Sequence, residues 1–306
     1  MTNVMIEVNG LSKSYGELTA VNEVTFHVNT GEVFGLLGPN GAGKTTTIEM
    51  LVGLRKPDQG TAILSGYDVR MQLNQVKEVI GIQLQSTSLF ELLTVQEIME
   101  MYASFYPRSI SIPDTIEDML LTDKKNTRIK ALSGGQKQRL AIALAIIHDP
   151  NIIFLDEPTT GLDPQARRTL WDIIENLKAR GKTIVLSTHY MDEAHILCDR
   201  IGIMDQGDLI ALDTPSNLVK KLQSESAIEF SLAQSANTTF LEQLQGVKQV
   251  TQRGEKYVLY TDNIQTSLID LVQQAQRLHI NLEDLQTRTA TLEDVFIHMT
   301  GRSLRE

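Results

Sequence analysis

A chain of 306 residues can bury one large core or two ordinary ones, and 42% hydrophobic with 22% charged residues is the balance of a soluble globular protein. Thirty-eight acidic against 28 basic residues give a formal net charge of -10, which argues against a broad grip on nucleic-acid phosphates, so no nucleic-acid partner is expected. The longest uninterrupted apolar run, residues 140–147, falls far short of the roughly 18 residues that cross a bilayer.

Two short alternating segments, 4–8 and 24–28, predict a hairpin or small antiparallel sheet. No basic segment followed by a hydrophobic core opens the chain, which makes the cytoplasm the expected location. An apolar run at 33–37 then leads into Gly38-Pro39-Asn40-Gly41-Ala42-Gly43-Lys44-Thr45, a complete G-x-x-x-x-G-K-S/T phosphate loop, and a helix is predicted over 46–54. The glycines let several backbone N–H groups face phosphate oxygens, and the helix start adds its positive end. Lys44 supplies a mobile charge and Thr45 a hydroxyl for magnesium. A dinucleotide fingerprint does not fit, because Gly38, Gly41 and Gly43 miss G-x-G-x-x-G and the lysine is foreign to it.

A strand is predicted over 60–64, and 95–121 reads as mainly helical, interrupted by Pro107 and Pro113. Leu132-Ser133-Gly134-Gly135-Gln136 then opens a helix over 136–147. Ser133 can cap it, while Lys137 and Arg139 near its start stand where the helix dipole disfavours cations unless an anion is close, so both a plain cap and an anion site remain open.

From there helix and strand alternate over 152–155, 164–179 and 183–187, which implies a parallel sheet covered by helices. The strand 152–155 ends in Asp156-Glu157; Asp156 suits magnesium, and Glu157 suits orienting or deprotonating an attacking water, with helix capping as the plain alternative. His189 follows the next strand at the sheet edge where such folds bind ligands, and it can donate a hydrogen bond to a terminal phosphate. Cys198 is the single cysteine, so no intrachain disulfide can form, and it reads as a small buried apolar residue; the six histidines show no metal-ligand spacing.

The character of the chain changes near Pro215. Beyond residue 225 the predicted order is strand 228–232, helix 238–244, hairpin 247–260 around Arg253-Gly254, helix 264–278 and a weak strand near Leu285, a split βαβ module.

Taken together, the phosphate loop, the Leu-Ser-Gly-Gly-Gln signature, the paired acids and His189 occur in the order of the ATP-binding cassette (ABC) family, which the chain resembles over about residues 4–217. The resemblance implies an α/β phosphate-loop NTPase core with a mainly parallel sheet, an antiparallel β region at its start and a helical subdomain at about 88–150. That core would span 1–220, with a small accessory α+β domain at 225–306. ATP would be held by Tyr15, Gly38, Pro39, Asn40, Gly41, Ala42, Gly43, Lys44, Thr45 and Thr46. Tyr15 would stack on adenine; a half-buried tyrosine is the alternative. Magnesium would be held by Thr45, Gln85 and Asp156, and catalysis would rest on Glu157, His189 and Gln85. Gln85 is preferred to Gln83 because Ile80-Gly81 precedes it by the family's usual interval. Ser133, Gly134, Gly135 and Gln136 would act in trans on ATP held by a second copy, and Asp163 would cross that dimer interface, unless it only caps the helix after Pro164.

In that family ATP closes a homodimer of cassettes, and hydrolysis reopens it to drive a membrane permease. Thr188-His189-Tyr190-Met191-Asp192-Glu193-Ala194, and the tail Leu292-Glu293-Asp294-Val295-Phe296 followed by Thr300-Gly301-Arg302, resemble bacterial drug, antibiotic and related efflux cassettes whose permease is a separate protein. The chain would then sit peripherally on the inner face of the cell membrane. The rival reading is a soluble cassette ATPase acting on ribosomes or nucleic acid, a class that usually joins two cassettes, whereas one phosphate loop and one signature are present here.

Overall fold

Strand β1 (Val4–Tyr15) turns back at once into β2 (Leu18–Asn29) in the computed structural model, which describes residues 4–85, 88–221, 226–232, 239–253 and 256–300. Both strands run well past the short segments that alternation marks, because bulges between Val8 and Lys13 break the simple pattern without ending the pairing. The chain divides into two units, Met1–Thr214 and Pro215–Glu306.

In the first unit, β3 (Val33–Leu37) runs into α1 (Lys44–Leu51), followed by β4 (Gln59–Leu64), β5 (Tyr67–Asp68), α2 (Leu73–Val79) and β6 (Ile80–Gln83). The last three are absent from the sequence reading. Next come α3 (Val95–Ala103), α4 (Ile112–Asp118) and α5 (Gly134–Ile146). Thr94 and Glu97 form a capping box on α3, and Ser133 and Gln136 form one on α5. Pro113 does not interrupt a helix: it lies in the first turn of α4, where its missing N–H has no partner to lose. The unit closes with β7 (Ile152–Asp156), α6 (Pro164–Ala179), β8 (Thr183–Thr188), α7 (Met191–Leu197) and the hairpin of β9 (Arg200–Asp205) and β10 (Asp208–Asp213).

One sheet is antiparallel, in the order β2-β1-β4-β5; the other has the order β10-β9-β3-β8-β7-β6 and is parallel except for the β9–β10 edge. Every residue of β3, β7 and β8 is buried, as expected for central parallel strands covered on both faces. Their core includes Phe34 stacked on Phe26 at 4.9 Å between ring centroids, with Val8, Leu11, Ile48 and Leu51. Full burial of a side chain such as Phe34 contributes about 2–3 kcal/mol. Cys198 is buried, and burial pushes its thiol well above the usual range, which suits an inert core residue.

The second unit begins with α8 (Pro215–Lys220) and continues through β11 (Ser226–Leu232), a 3₁₀ turn at Thr239–Gln243, β12 (Val247–Arg253), β13 (Lys256–Thr261), α9 (Ile264–Arg277), β14 (Leu282–Thr289) and α10 (Leu292–Thr300). Its antiparallel sheet has the order β12-β13-β11-β14 over a core of Ile228, Phe230, Leu259 and Leu271. The predicted helix at 238–244 is a 3₁₀ turn instead, and α10 is an addition. Gly254, about which the hairpin was expected to turn, and Gly301 and Arg302 of the tail lie outside the described residues.

Candidate active site

β3 delivers Gly38 to the carboxyl edge of the parallel sheet. A Cβ at Gly38 would stand 2.2 Å from the carbonyl oxygen of Met204, and one at Gly43, whose φ is 101°, would stand 2.3 Å from that of Ala20. Backbone on both sides therefore demands glycine at these positions. The helix begins at Lys44, two residues before its expected start, and has no side-chain cap, so its first N–H groups and positive dipole end are left for an anion. Lys44 Nζ donates to the carbonyls of Gly38 at 2.9 Å and Pro39 at 3.0 Å and faces Glu157 Oε1 at 3.4 Å. Burial lowers its pKa, against the opposing pull of Glu157 and Asp156.

Asp156 ends β7 in register with Ser187 of β8. Its Oδ1 accepts hydrogen bonds from Ser187 Oγ at 2.5 Å and Thr45 Oγ1 at 3.2 Å, whereas its buried Oδ2 has no partner. Burial, aided by the charge on Glu157, raises its pKa in spite of those bonds and of Lys44. An orphaned carboxylate oxygen beside a threonine hydroxyl suits a divalent cation. No cluster of three or more His, Cys, Asp or Glu among the described residues could enclose a metal, so magnesium here would complete its shell from phosphate and water.

Glu157 adopts a left-handed backbone, φ 47°, uncommon for a glutamate. Its amide is held by the Ser187 hydroxyl at 3.0 Å, and its Oε2 accepts from Gln85 Nε2 at 3.2 Å and Thr160 Oγ1 at 3.0 Å. His189 Nδ1 stands 3.3 Å from that oxygen, without the alignment of a hydrogen bond. Burial pushes the carboxyl up, but Lys44, the facing imidazole and Thr160 outweigh it and hold the pKa below the usual value. Gln83, by contrast, is buried and turns its amide to the carbonyls of Leu84 and Asp156.

A cavity of about 410 Å³ is lined by Tyr15, Leu18, Ala20, Asn40, Gly41, Gly43, Lys44, Thr45, Thr46, Gln85 and Glu157. Of the loop residues named from sequence, Gly38, Pro39 and Ala42 are not among its lining residues. Tyr15 is 41% exposed, with Lys13 Nζ and the Arg55 guanidinium 5.6 and 5.5 Å from its ring centre. Leu18 and Ala20 enter because β2 pairs Leu18 with Tyr15, a neighbourhood that hairpin register could have disclosed. Ser187 and Thr160 were also missed as site residues; the signal for Ser187 is its place at the end of a strand in register with Asp156.

The ABC transporter family pattern matches residues 21–160. Nod factor export ATP-binding protein I of Paraburkholderia xenovorans is 38% identical over the full length of both chains. The chain belongs to the ABC transporter family, as an ATP-binding subunit. Linearmycin resistance ATP-binding protein LnrL of Bacillus subtilis is 34% identical over 99% of this cassette and 100% of its own length. A solved ATP-binding subunit of an ABC transporter superposes with a TM-score of 0.65 at 30% identity, covering 72% of this chain and 93% of the other. A dimeric ATP-binding cassette in a post-hydrolysis state with ADP and Pi gives 0.62 at 27% identity, covering 69% and 98%. This cassette is accordingly an ATPase. None of these relatives supports the ribosomal alternative.

The remaining expected site residues of the cassette lie elsewhere. Ser133, Gly134, Gly135 and Gln136 do not line the cavity that holds Lys44; Ser133 Oγ accepts from the Gln136 amide at 3.3 Å, closing the cap of α5. Arg139 Nη1 donates to the carbonyls of Met119 and Leu120, both at 3.0 Å. Asp163 caps α6, accepting from the amides of Gln165 at 3.0 Å and Ala166 at 2.9 Å. Among the described residues no helix is long and apolar enough to cross a membrane.

Proposed function

We propose that this cassette hydrolyses MgATP at the cavity bounded by Tyr15, Lys44 and Glu157, and that the cycle powers export through a separate membrane permease. The observation that carries the chemistry is the convergence of Lys44, Gln85, Thr160 and His189 on Glu157, beside the unpartnered oxygen of Asp156. Lys44 and the amides of residues 41–46 bind the phosphates. Asp156, Thr45 and Gln85 would hold magnesium, which when bound supplies positive charge to the β- and γ-phosphates. Glu157, kept ionised by its neighbours, takes the proton of the attacking water; His189 stands within reach of the same oxygen to orient a terminal phosphate. Tyr15 offers its face to the base.

Because Ser133 to Gln136 lie outside the cavity, they are free to complete a site on a second copy, with Asp163 at the same seam. Residues 1–214 then form the catalytic unit and 215–306 an accessory one, a boundary a few residues before the 220–225 expected from sequence, and the cassette works as a homodimer on the inner membrane face. The relatives named for Nod factor export and linearmycin resistance support export of a drug, antibiotic or lipid-like substrate.

Gentle detergent extraction of cells producing the tagged chain tests the transport half: an integral membrane protein should copurify in stoichiometric amount. Hydrolysis assays of Glu157→Gln test the other half. A chain recovered without a membrane partner, or a Glu157→Gln variant with normal turnover, would overturn the corresponding half.

A further inference from the structure

Glu193, in the first turn of α7, is fully buried, and its carboxylate has one aligned hydrogen bond, from Trp171 Nε1 to Oε1 at 3.1 Å. Its Oε2 has no such partner, nor does the buried hydroxyl of Thr159; burial raises the pKa of Glu193, against the opposing influence of the nearby Thr188, Thr159 and Trp171. A buried carboxyl group with an unsatisfied oxygen weakens a fold. The use of Glu193 is therefore to be sought in what it touches.

Each neighbour belongs to a different segment, and two of these segments adjoin residues of the site. Thr188 ends β8 immediately before His189; its carbonyl accepts the Gly38 amide at 3.3 Å and its hydroxyl the Tyr190 amide at 2.9 Å. Thr159 precedes Thr160, whose hydroxyl holds Glu157, and the Thr159 carbonyl accepts the amide of Leu162 at 3.2 Å in the loop that ends at Asp163. Trp171 lies on α6, where Asp163, Arg167 and Trp171 follow one another at four-residue spacing along one face. On that face the Arg167 guanidinium lies 4.1 Å from the Tyr190 ring centre and 3.7 Å from Asp192.

We propose that Glu193 is a positioning residue for ATP hydrolysis, tying the His189 segment, the 159–163 loop and α6 together so that they move as one body when His189 engages nucleotide. The inference rests on the roles given above to Glu157 and His189. It also makes Trp171, the only tryptophan in the chain, a reporter at the joint.

The test uses the full chain with Glu193→Leu, Glu193→Gln and Thr159→Val, following kcat, KM for ATP, thermal midpoint and tryptophan emission. Glu193→Leu should lower kcat by about ten-fold or more with KM within about two-fold, while its midpoint holds or rises. Glu193→Gln keeps the hydrogen-bonding outline and should stay within about three-fold of wild type. ATP should change Trp171 emission in the wild type and in Glu157→Gln but not in Glu193→Leu. Full turnover by Glu193→Leu, a kcat loss matched by a falling midpoint and shared by Glu193→Gln, or emission blind to ATP in the wild type would each overturn the proposal. Should Glu193→Leu fail to fold, Thr159→Val carries the same readouts, and normal turnover with a normal emission response there overturns it. Normal turnover by Glu157→Gln would defeat the underlying catalytic reading instead, leaving the emission result to judge the joint.

Discussion

Ser187 Oγ lies 2.5 Å from Asp156 Oδ1 while accepting the amide of Glu157, so a single hydroxyl on β8 fixes both acids at the end of β7. Ser187→Ala should destabilise the chain by about 1–2 kcal/mol in urea denaturation, since it strips a buried carboxylate of a donor. The magnesium concentration giving half-maximal ATPase rate should rise several-fold, because Asp156 loses the contact that sets its orientation. An unchanged magnesium requirement would detach Ser187 from the metal site.

Glu157→Gln keeps the size and most of the hydrogen bonds of the side chain but cannot take a proton. Turnover should fall by about 10²- to 10⁴-fold while ATP binding persists. Size-exclusion chromatography with ATP and magnesium should show a stalled dimer that wild type and Asp156→Asn do not accumulate. A monomer throughout, with turnover lost, would spare the base and count against the ATP-held dimer.

Tyr15→Ala should weaken ATP binding by about 1 kcal/mol, roughly five-fold, whereas Tyr15→Phe should remain within about two-fold of wild type. Fluorescent-nucleotide titration distinguishes them. Equal losses would point to the hydroxyl rather than the ring.

In the second unit, burial works against the charge on Asp294, but hydrogen bonds from Arg288, the Thr291 amide and Tyr260 Oη prevail and hold its pKa at about 2, below the ordinary 3.8. A depressed carboxylate stabilises the fold above its unfolded pKa and loses that contribution as pH falls through the folded one. Wild type should therefore exceed Asp294→Asn by about 2 kcal/mol in urea unfolding at pH 5, with the gap closing as pH falls from about 4 toward 2. A gap independent of pH would remove the ion pair from the explanation.

The phosphate loop, the paired acids, His189 and the bounds of α6 were legible because each is a local pattern: a spacing, a cap, a buried strand and its end. Ser187 and Thr160 were not recognised as site residues, since a hydroxyl gains its role only when strand register brings it to a carboxylate 31 residues away or a backbone turn points it back. The β9–β10 hairpin was missed for a related reason, its inner strand being defined by parallel pairing to β3 rather than by alternation.

Tyr15 leaves the antiparallel sheet at the tip of the β1–β2 hairpin, whereas Lys44 and the two acids stand on the parallel one. With the base on Tyr15 and the phosphates at Lys44, as proposed, the two ends of the nucleotide would meet separately built layers. An aromatic face accepts any nucleobase and ignores the edge groups that tell adenine from guanine. Such a site is strict about the triphosphate and lenient about the base, so GTP should replace ATP with a small loss, and the motor would draw on whichever purine triphosphate is abundant.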